Sequence, residues 1–472
     1  MSDNTFNAAN VLADHYRCPE SYGAFSVAAG LSATPGYFRF GKDTVCFGRT
    51  STGSLRNCAN SDLDDVLGHV TIRERDTTLP FDPNEAIDNL RYERYMTRCH
   101  NGPTRFVREA YYRFRPWMPA GFRKHLQRIY LNRWQEIAFP NWPVDRTVEN
   151  IFEKTVTLSM ESHGTRQMPF VWFWPSGYSG CLILTHDVET EAGRDVCAQL
   201  ADTDASFGMK SSFQIVPEDR YEVTPSFLAS LLARGCELNV HGLNHDGQLF
   251  RDRKTFLGQV ERINRYGKEY GAYGFRSPVL YRNLDWYADL EFSYDMSVPN
   301  VAHLDPQRGG CCTVMPYFVG NIVELPLTTT QDWSLFNILK HDSVELWKQQ
   351  IDMVLEKHGL VSFNIHPDYI MADPFRKLYH QLLEHLAKIC AERNVWMALP
   401  REVDLWWRQR REMTLVNRGN LFHVSGPSSE RAAPAYACQD GEHVVYEFPD
   451  RRAANPRGAA THEESTVREV TL

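Results

Sequence analysis

Several things are missing from this 472-residue sequence, and each absence narrows its reading. There is no uninterrupted apolar run of roughly 18 residues, so no segment reads as a membrane-spanning helix. Residues Met1 to Asn10 are polar, without a basic or an apolar stretch, and no secretory signal is expected there. No Cys-x-x-Cys pair occurs. The eleven cysteines are an odd number and are scattered, with Cys311 and Cys312 adjacent, which argues against a disulfide framework and for a reduced, cytoplasmic chain. No charge block of one sign dominates. The formal net charge of −8 is spread along the chain, which excludes a general nucleic-acid binder and says nothing against neutral sugars. No internal repeat is visible.

What is present falls into regimes of different composition. Residues 1–85 are rich in Gly, Ser, Thr and Asp and carry short strand-like runs such as Gly36 to Phe40 and Val45 to Gly48, which reads as an irregular β-containing module. Residues 86–175 turn helical and aromatic. They include a basic stretch, 105–134, which is either the solvated face of a packed helix or a surface for an anionic membrane or glycan. From 176 to 411 apolar runs alternate with amphipathic helices at βα spacing: Cys181 to Leu184, Ser211 to Val216, Glu237 to Val240 and Leu360 to Ile365 are strands. Helices follow at Arg194 to Ala201, Pro225 to Arg234, Lys254 to Tyr270, Ser343 to Lys357 and Pro374 to Arg393. This alternation predicts a mainly parallel sheet or barrel with helices outside. Residues 412–450 read as a short β appendage, and 451–472 as a disordered polar tail.

Four polar motifs stand where these strands stop: Thr185-His186-Asp187-Val188-Glu189, His241-Gly242-Leu243-Asn244-His245, Arg276-Ser277-Pro278 and Ile365-His366-Pro367. In α/β folds the carboxyl ends of strands are where active sites lie. His241 and His245 are four apart, and on a helical turn both imidazoles would face one cation. Asp187 and Glu189 follow the most apolar run of the region, where an unpaired carboxylate would cost several kcal/mol unless paired or bound to metal. Asp187 could instead cap the next helix. Two carboxylates and two histidines leave an open coordination position, as a catalytic metal requires. Arg276, stiffened by the backbone before a proline, could hold a carboxylate in place or make a surface ion pair. His366 ends a strand that Pro367 prevents from continuing.

In order and content these motifs resemble those of the polysaccharide deacetylases of carbohydrate esterase family 4, the NodB-homology group, across about residues 176–400. Thr185 to Glu189 is similar to that family's Thr-Phe-Asp-Asp motif, His241 to His245 to its His-Ser/Thr-x-x-His motif, Arg276 to Pro278 to its Arg-x-Pro motif and Ile365-His366 to its closing motif. Lys210 to Val216 resembles its second strand, and Gln331-Asp332-Trp333 its Asp- and Trp-bearing motif. The resemblance implies an α/β fold, a distorted (β/α) barrel of the NodB-homology type, flanked here by an N-terminal α+β accessory region and the short C-terminal β appendage. It implies a hydrolase acting on non-peptide carbon–nitrogen bonds of an N-acetylated carbohydrate, with a divalent metal, zinc first, held by Glu189, His241 and His245. Asp187 is then the base, braced by Arg276, and His366 the acid, with Asp332, Trp333 and Tyr281 at the substrate, Trp333 and Tyr281 lining its groove and Asp332 orienting His366. The chain departs from the pattern twice, since its second acid is displaced by one residue to Glu189 and Gly242 replaces a hydroxyl residue. The same resemblance extends to amidohydrolases of small non-sugar amides, and a non-catalytic carbohydrate- or partner-binding protein retaining the fold is a further alternative.

Overall fold

A computed structural model describes residues 11–59, 62–73, 76–97, 131, 133–419, 421–441 and 443–449. The expected basic stretch at 105–134 lies almost wholly outside the described residues, as does the expected tail at 451–472. Among the described residues no helix is long and apolar enough to cross a membrane.

The centre of the fold is a curled sheet of nine strands: β1 (Gly180–Val188), β2 (Ser211–Ile215), β3 (Glu237–His241), β4 (Gly274–Arg276), β5 (Tyr294–Asp295), β6 (Tyr317–Val319), β7 (Ile322–Glu324), β8 (Leu360–Ile365) and β9 (Val395–Met397). They pair in the order β6-β7-β5-β4-β3-β2-β1-β8, with β9 beside the first residues of β1, and every pairing is parallel except β6 with β7. Such a sheet must be covered on both faces, and all nine residues of β1 are buried. Strand periodicity divides them. Leu182, Leu184 and Val188 enter a core shared with the outer helices, while Cys181 and Ile183 enter a second core on the opposite face. Thr185 and Asp187 continue that inward row.

The outer helices are α1 (Glu191–Ser206), α2 (Pro225–Leu232), α3 (Arg253–Tyr270), α4 (Glu345–Leu355) and α5 (Phe375–Glu392). Each of the first three begins where a side-chain oxygen accepts from a free backbone N–H: Thr190 from Gly193, Thr224 from Phe227 and Asp252 from Thr255. Strand β8 and the chain after β7 meet through threonine side chains, not a regular ladder. Thr328 Oγ1 donates to Leu360 O and Thr329 Oγ1 to Ser362 O, both at 2.8 Å, so the barrel is curled and stitched along this seam.

Packing links the expected modules to one another. A helix at Pro83–Arg91 runs through the expected 85/86 boundary, and strand Gln167–Val171 pairs with Pro434–Asp440 of the expected C-terminal appendage. Phe38, Phe81, Phe152, Phe170 and Trp174 join Ala437 and the inward-facing Cys181, Ile183 and Leu360 in one core. Helix α6 (Pro400–Arg411) locks it, because buried Arg410 donates from Nε to Trp172 O at 3.0 Å and from Nη2 to Val171 O at 2.7 Å. Composition shifts along the chain; the core does not.

Candidate active site

Register places the motif residues side by side. Asp187 on β1 is level with Gln214 on β2, His241 closes β3 level with Arg276 at the end of β4, and Ile365, the last residue of β8, is level with His186. The carboxyl ends of β1, β3, β4 and β8 therefore contribute to one volume.

Arg276 is fully buried and is the brace of this volume. Its Nε donates to Met296 O at 3.0 Å, and its Nη1 donates to Thr185 Oγ1 at 2.8 Å and to Asp187 Oδ1 at 3.0 Å. Burial alone would raise the Asp187 pKa, but the charge of Arg276, with those of His241 and His366, outweighs it and holds the carboxyl below its usual range. Asp187 Oδ2 is left facing His241 Nε2 at 3.6 Å.

His241 and His245 do converge, by a route other than the expected helical turn. After His241 the chain enters a loop in which Gly242 (φ +63°) and His245 (φ +53°) both take left-handed backbone. The two rings end 4.9 Å apart. Gly242 is required twice over: its φ is unfavourable for other residues, and a Cβ there would lie 2.3 Å from Pro278 Cγ. The proline of the third motif fills the place where the family pattern has a hydroxyl side chain.

His241 Nδ1 lies 3.1 Å from the Arg276 carbonyl, to which it donates, so its Nε2 carries the lone pair. Among the described residues that buried Nε2 has no hydrogen-bond partner, nor has His245 Nδ1, whereas His245 Nε2 faces Glu189. Glu189 Oε1 lies 3.7 Å from His241 Nε2, 2.8 Å from His245 Nε2 and 3.4 Å from His366 Nε2. Within Glu189, His241 and His245, one ligand atom from each lies within 4.8 Å of the others, and so it is within Asp187, Glu189 and His366. Zinc binds such donors at about 2.0–2.2 Å in tetrahedral geometry, which spaces them about 3.3 Å apart. The donor set and its orphaned lone pairs thus fit a divalent ion. Burial lowers the His245 pKa against the opposing pull of Glu189, which keeps the imidazole neutral as a ligand must be. Glu189, despite burial, is held well below its usual value by the histidines around it.

His366 stands across the volume. Asp332, completely buried, accepts from His366 Nδ1 at 2.7 Å through Oδ1 and from the His366 backbone N–H at 2.8 Å through Oδ2. Burial would lower the His366 pKa, but Asp332 more than offsets this and holds it well above its ordinary value. Of the two roles expected of Asp332, at the substrate and orienting His366, the distances are those of the second, since both its oxygens accept from His366. Tyr281 is also closed off, at 7% exposure, and its carbonyl accepts from Ser277 Oγ. Trp333 is half-buried and its ring lies 5.4 Å from that of Tyr369, which in turn lies 5.2 Å from His366.

Sequence reasoning singled out neither Tyr369 nor Arg220. Arg220 Nε donates to the backbone carbonyl of Glu189 at 2.9 Å. Tyr369 could have been found from its position three residues after His366 on the short helix Pro367–Ile370. Arg220 gave no signal, since a single Arg in a polar loop is ordinary. His186, inside the first motif, faces away from the site and pairs through Nε2 with Asp204 Oδ2 at 2.8 Å, and Tyr379 donates to the same carboxylate at 2.5 Å.

No protein-family model matches the chain, and no curated protein matches its sequence. Solved structures do. A Mycobacterium smegmatis protein assigned as a polysaccharide deacetylase matches at 20% identity and a TM-score of 0.42, over 53% of this chain and 98% of that one. An allantoinase matches at 13% identity and 0.40, over 50% and 92%. A family 4 carbohydrate esterase from Streptomyces lividans, solved in complex with acetate, matches at 12% identity and 0.31, over 47% and 94%. At these values the functional reading rests on the distances within the site.

Proposed function

We propose that this chain is a metal-dependent hydrolase that removes N-acetyl groups from an amino-sugar glycan or glycan precursor. The observation that carries the reading is the convergence of His241 and His245 on Glu189 Oε1, which lies 3.7 Å from His241 Nε2 and 2.8 Å from His245 Nε2, with His241 Nε2 buried and without a hydrogen-bond partner among the described residues. These three residues would hold the ion. When bound, a divalent ion such as zinc lowers the pKa of water and polarises a carbonyl.

The other residues divide the proton work. An amide needs an activated nucleophile and a protonated leaving nitrogen, which calls for one base and one acid on opposite sides of the carbonyl. Asp187 suits the base, since Arg276 keeps it ionised through Oδ1 and leaves Oδ2 facing the ligand cluster. His366 suits the acid, since Asp332 fixes Nδ1 and leaves Nε2 directed into the volume, 3.4 Å from Glu189 Oε1. Trp333 and Tyr369 would supply an aromatic wall for a sugar face.

The test is acetate release from a panel of N-acetylated sugars and oligosaccharides by protein loaded with zinc or cobalt, with small cyclic amides run beside it. Release from at least one sugar, abolished in His241→Ala, is expected. Hydrolysis of cyclic amides alone would replace the deacetylase reading with that of a small-amide hydrolase.

A further inference from the structure

One cation beside the site is fixed in position without having a side-chain partner among the described residues. Arg220 lies in the loop that follows β2, and the loop is fastened to the end of β1 through consecutive residues. Arg220 Nε donates to Glu189 O at 2.9 Å, and the Tyr221 hydroxyl donates to Val188 O at 2.7 Å while accepting from Val216 N at 3.0 Å. The guanidinium is thereby held against the backbone of the residue whose side chain joins the ligand cluster.

The rest of the guanidinium is uncommitted. Arg220 is exposed, and among the described residues the Nε bond is its one hydrogen bond and it makes no ion pair. This is not for want of acids in the loop. Glu218 faces Arg262 and Tyr266, the latter at 3.0 Å, and the exposed Asp219 and Glu222 come within ion-pair distance of no cation among the described residues. An arginine tied at Nε keeps its two Nη groups as a planar donor edge, which matches the paired oxygens of a carboxylate or phosphate. A surface arginine that served only solubility would need no anchor at this point.

We infer that Arg220 is a specificity-determining residue that receives an anionic group, carboxylate or phosphate, carried by the N-acylated substrate whose amide enters the site. The inference rests on the hydrolase reading above and narrows its substrate class to acidic or phosphorylated amino sugars.

The experiment compares kcat/KM for acetate release from neutral N-acetylglucosamine, its 6-phosphate and N-acetylmuramic acid, in the wild type, Arg220→Lys and Arg220→Gln. The wild type is expected to favour at least one anionic sugar by about 10-fold or more, and the favoured one separates phosphate from carboxylate. In Arg220→Gln that ratio falls towards one, with Arg220→Lys between them. Equal rates on all three sugars in the wild type, or an equal fall on neutral and anionic sugars in Arg220→Gln, would overturn the assignment. Calorimetry of glucosamine 6-phosphate against glucosamine, on the protein as purified, separates the two readings. Selective binding of the phosphate, lost in Arg220→Gln, sustains the anion site even where no sugar releases acetate, an outcome that would sink the deacetylase reading alone. Absence of both acetate release and selective binding would overturn both.

Discussion

The interior of the barrel is polar at both ends, and the two ends behave differently. At the base, Glu237, Asn239, Ser212 and Tyr294 bond to one another: the Tyr294 hydroxyl donates to Asn239 Oδ1 at 2.9 Å and also reaches Glu237, Asn239 Nδ2 donates to Ser212 Oγ at 2.8 Å, and the Arg401 N–H donates to Glu237 Oε2 at 3.1 Å. At the carboxyl end, Asp187, Glu189, His241, His245 and His366 crowd into one volume and leave imidazole nitrogens with no hydrogen-bond partner. Buried polar groups that satisfy one another stabilise a core, whereas buried lone pairs aimed at a common point are costly unless a ligand completes them. The base is a bonded network; the rim is the proposed receptor.

The sharpest break of this contrast is removal of a charge at the rim without removal of the proposed ligands. Asp187→Asn is expected to lower kcat for acetate release by about 10²–10⁴-fold while metal content stays unchanged. A comparable loss with the metal also gone would make Asp187 a ligand instead. Next in size is Asp332→Ala, expected to lower kcat by about 10–100-fold with little change in KM, because His366 loses its orientation but stays in place. Steady-state kinetics with Asp332→Asn as the conservative control separate positioning from collapse.

Gly242→Ala tests the loop that brings the histidines together. The left-handed φ and the encounter with Pro278 together should cost about 1–3 kcal/mol and weaken metal binding, read as a fall in Tm and in zinc affinity. The smallest effect belongs to the base. Burial pushes the Glu237 carboxyl up to about 7, so its protonated form is favoured in the fold. The stability it contributes is complete below pH about 4.5 and is lost as pH rises through about 7. Glu237→Gln should therefore raise Tm by about 2 °C at pH 8 and leave it unchanged near pH 4.5. An equal shift at both values would remove ionisation from the explanation.

The rim was legible in the sequence because its residues are consecutive or alternate along strands that are buried on both faces. Leu360 to Ile365 was found with both ends, and the ends of β1, β2 and β3 within a few residues, since an apolar run that meets polar residues marks a strand leaving the core. The route from His241 to His245 was not, because spacing of four fits a helical turn and a left-handed loop equally. At the expected 85/86 boundary the chain is a continuous helix, Pro83–Arg91. Local composition reports nothing about Phe81, Phe152 and Trp174 meeting Ala437 in one core, contacts made across most of the chain. Asp332 carried two expected roles, at the substrate beside Trp333 and orienting His366, and the distances to His366 are those of the second.

The central claim is that the rim is completed by a divalent ion. Its most direct test is metal stoichiometry by elemental analysis after equilibration with zinc and dialysis, on the wild type and on Glu189→Ala, His241→Ala and Glu237→Gln. The account predicts about one ion per chain in the wild type and in Glu237→Gln, and almost none in the two rim variants. A wild type that retains no ion, or rim variants that retain as much as the wild type, would contradict it.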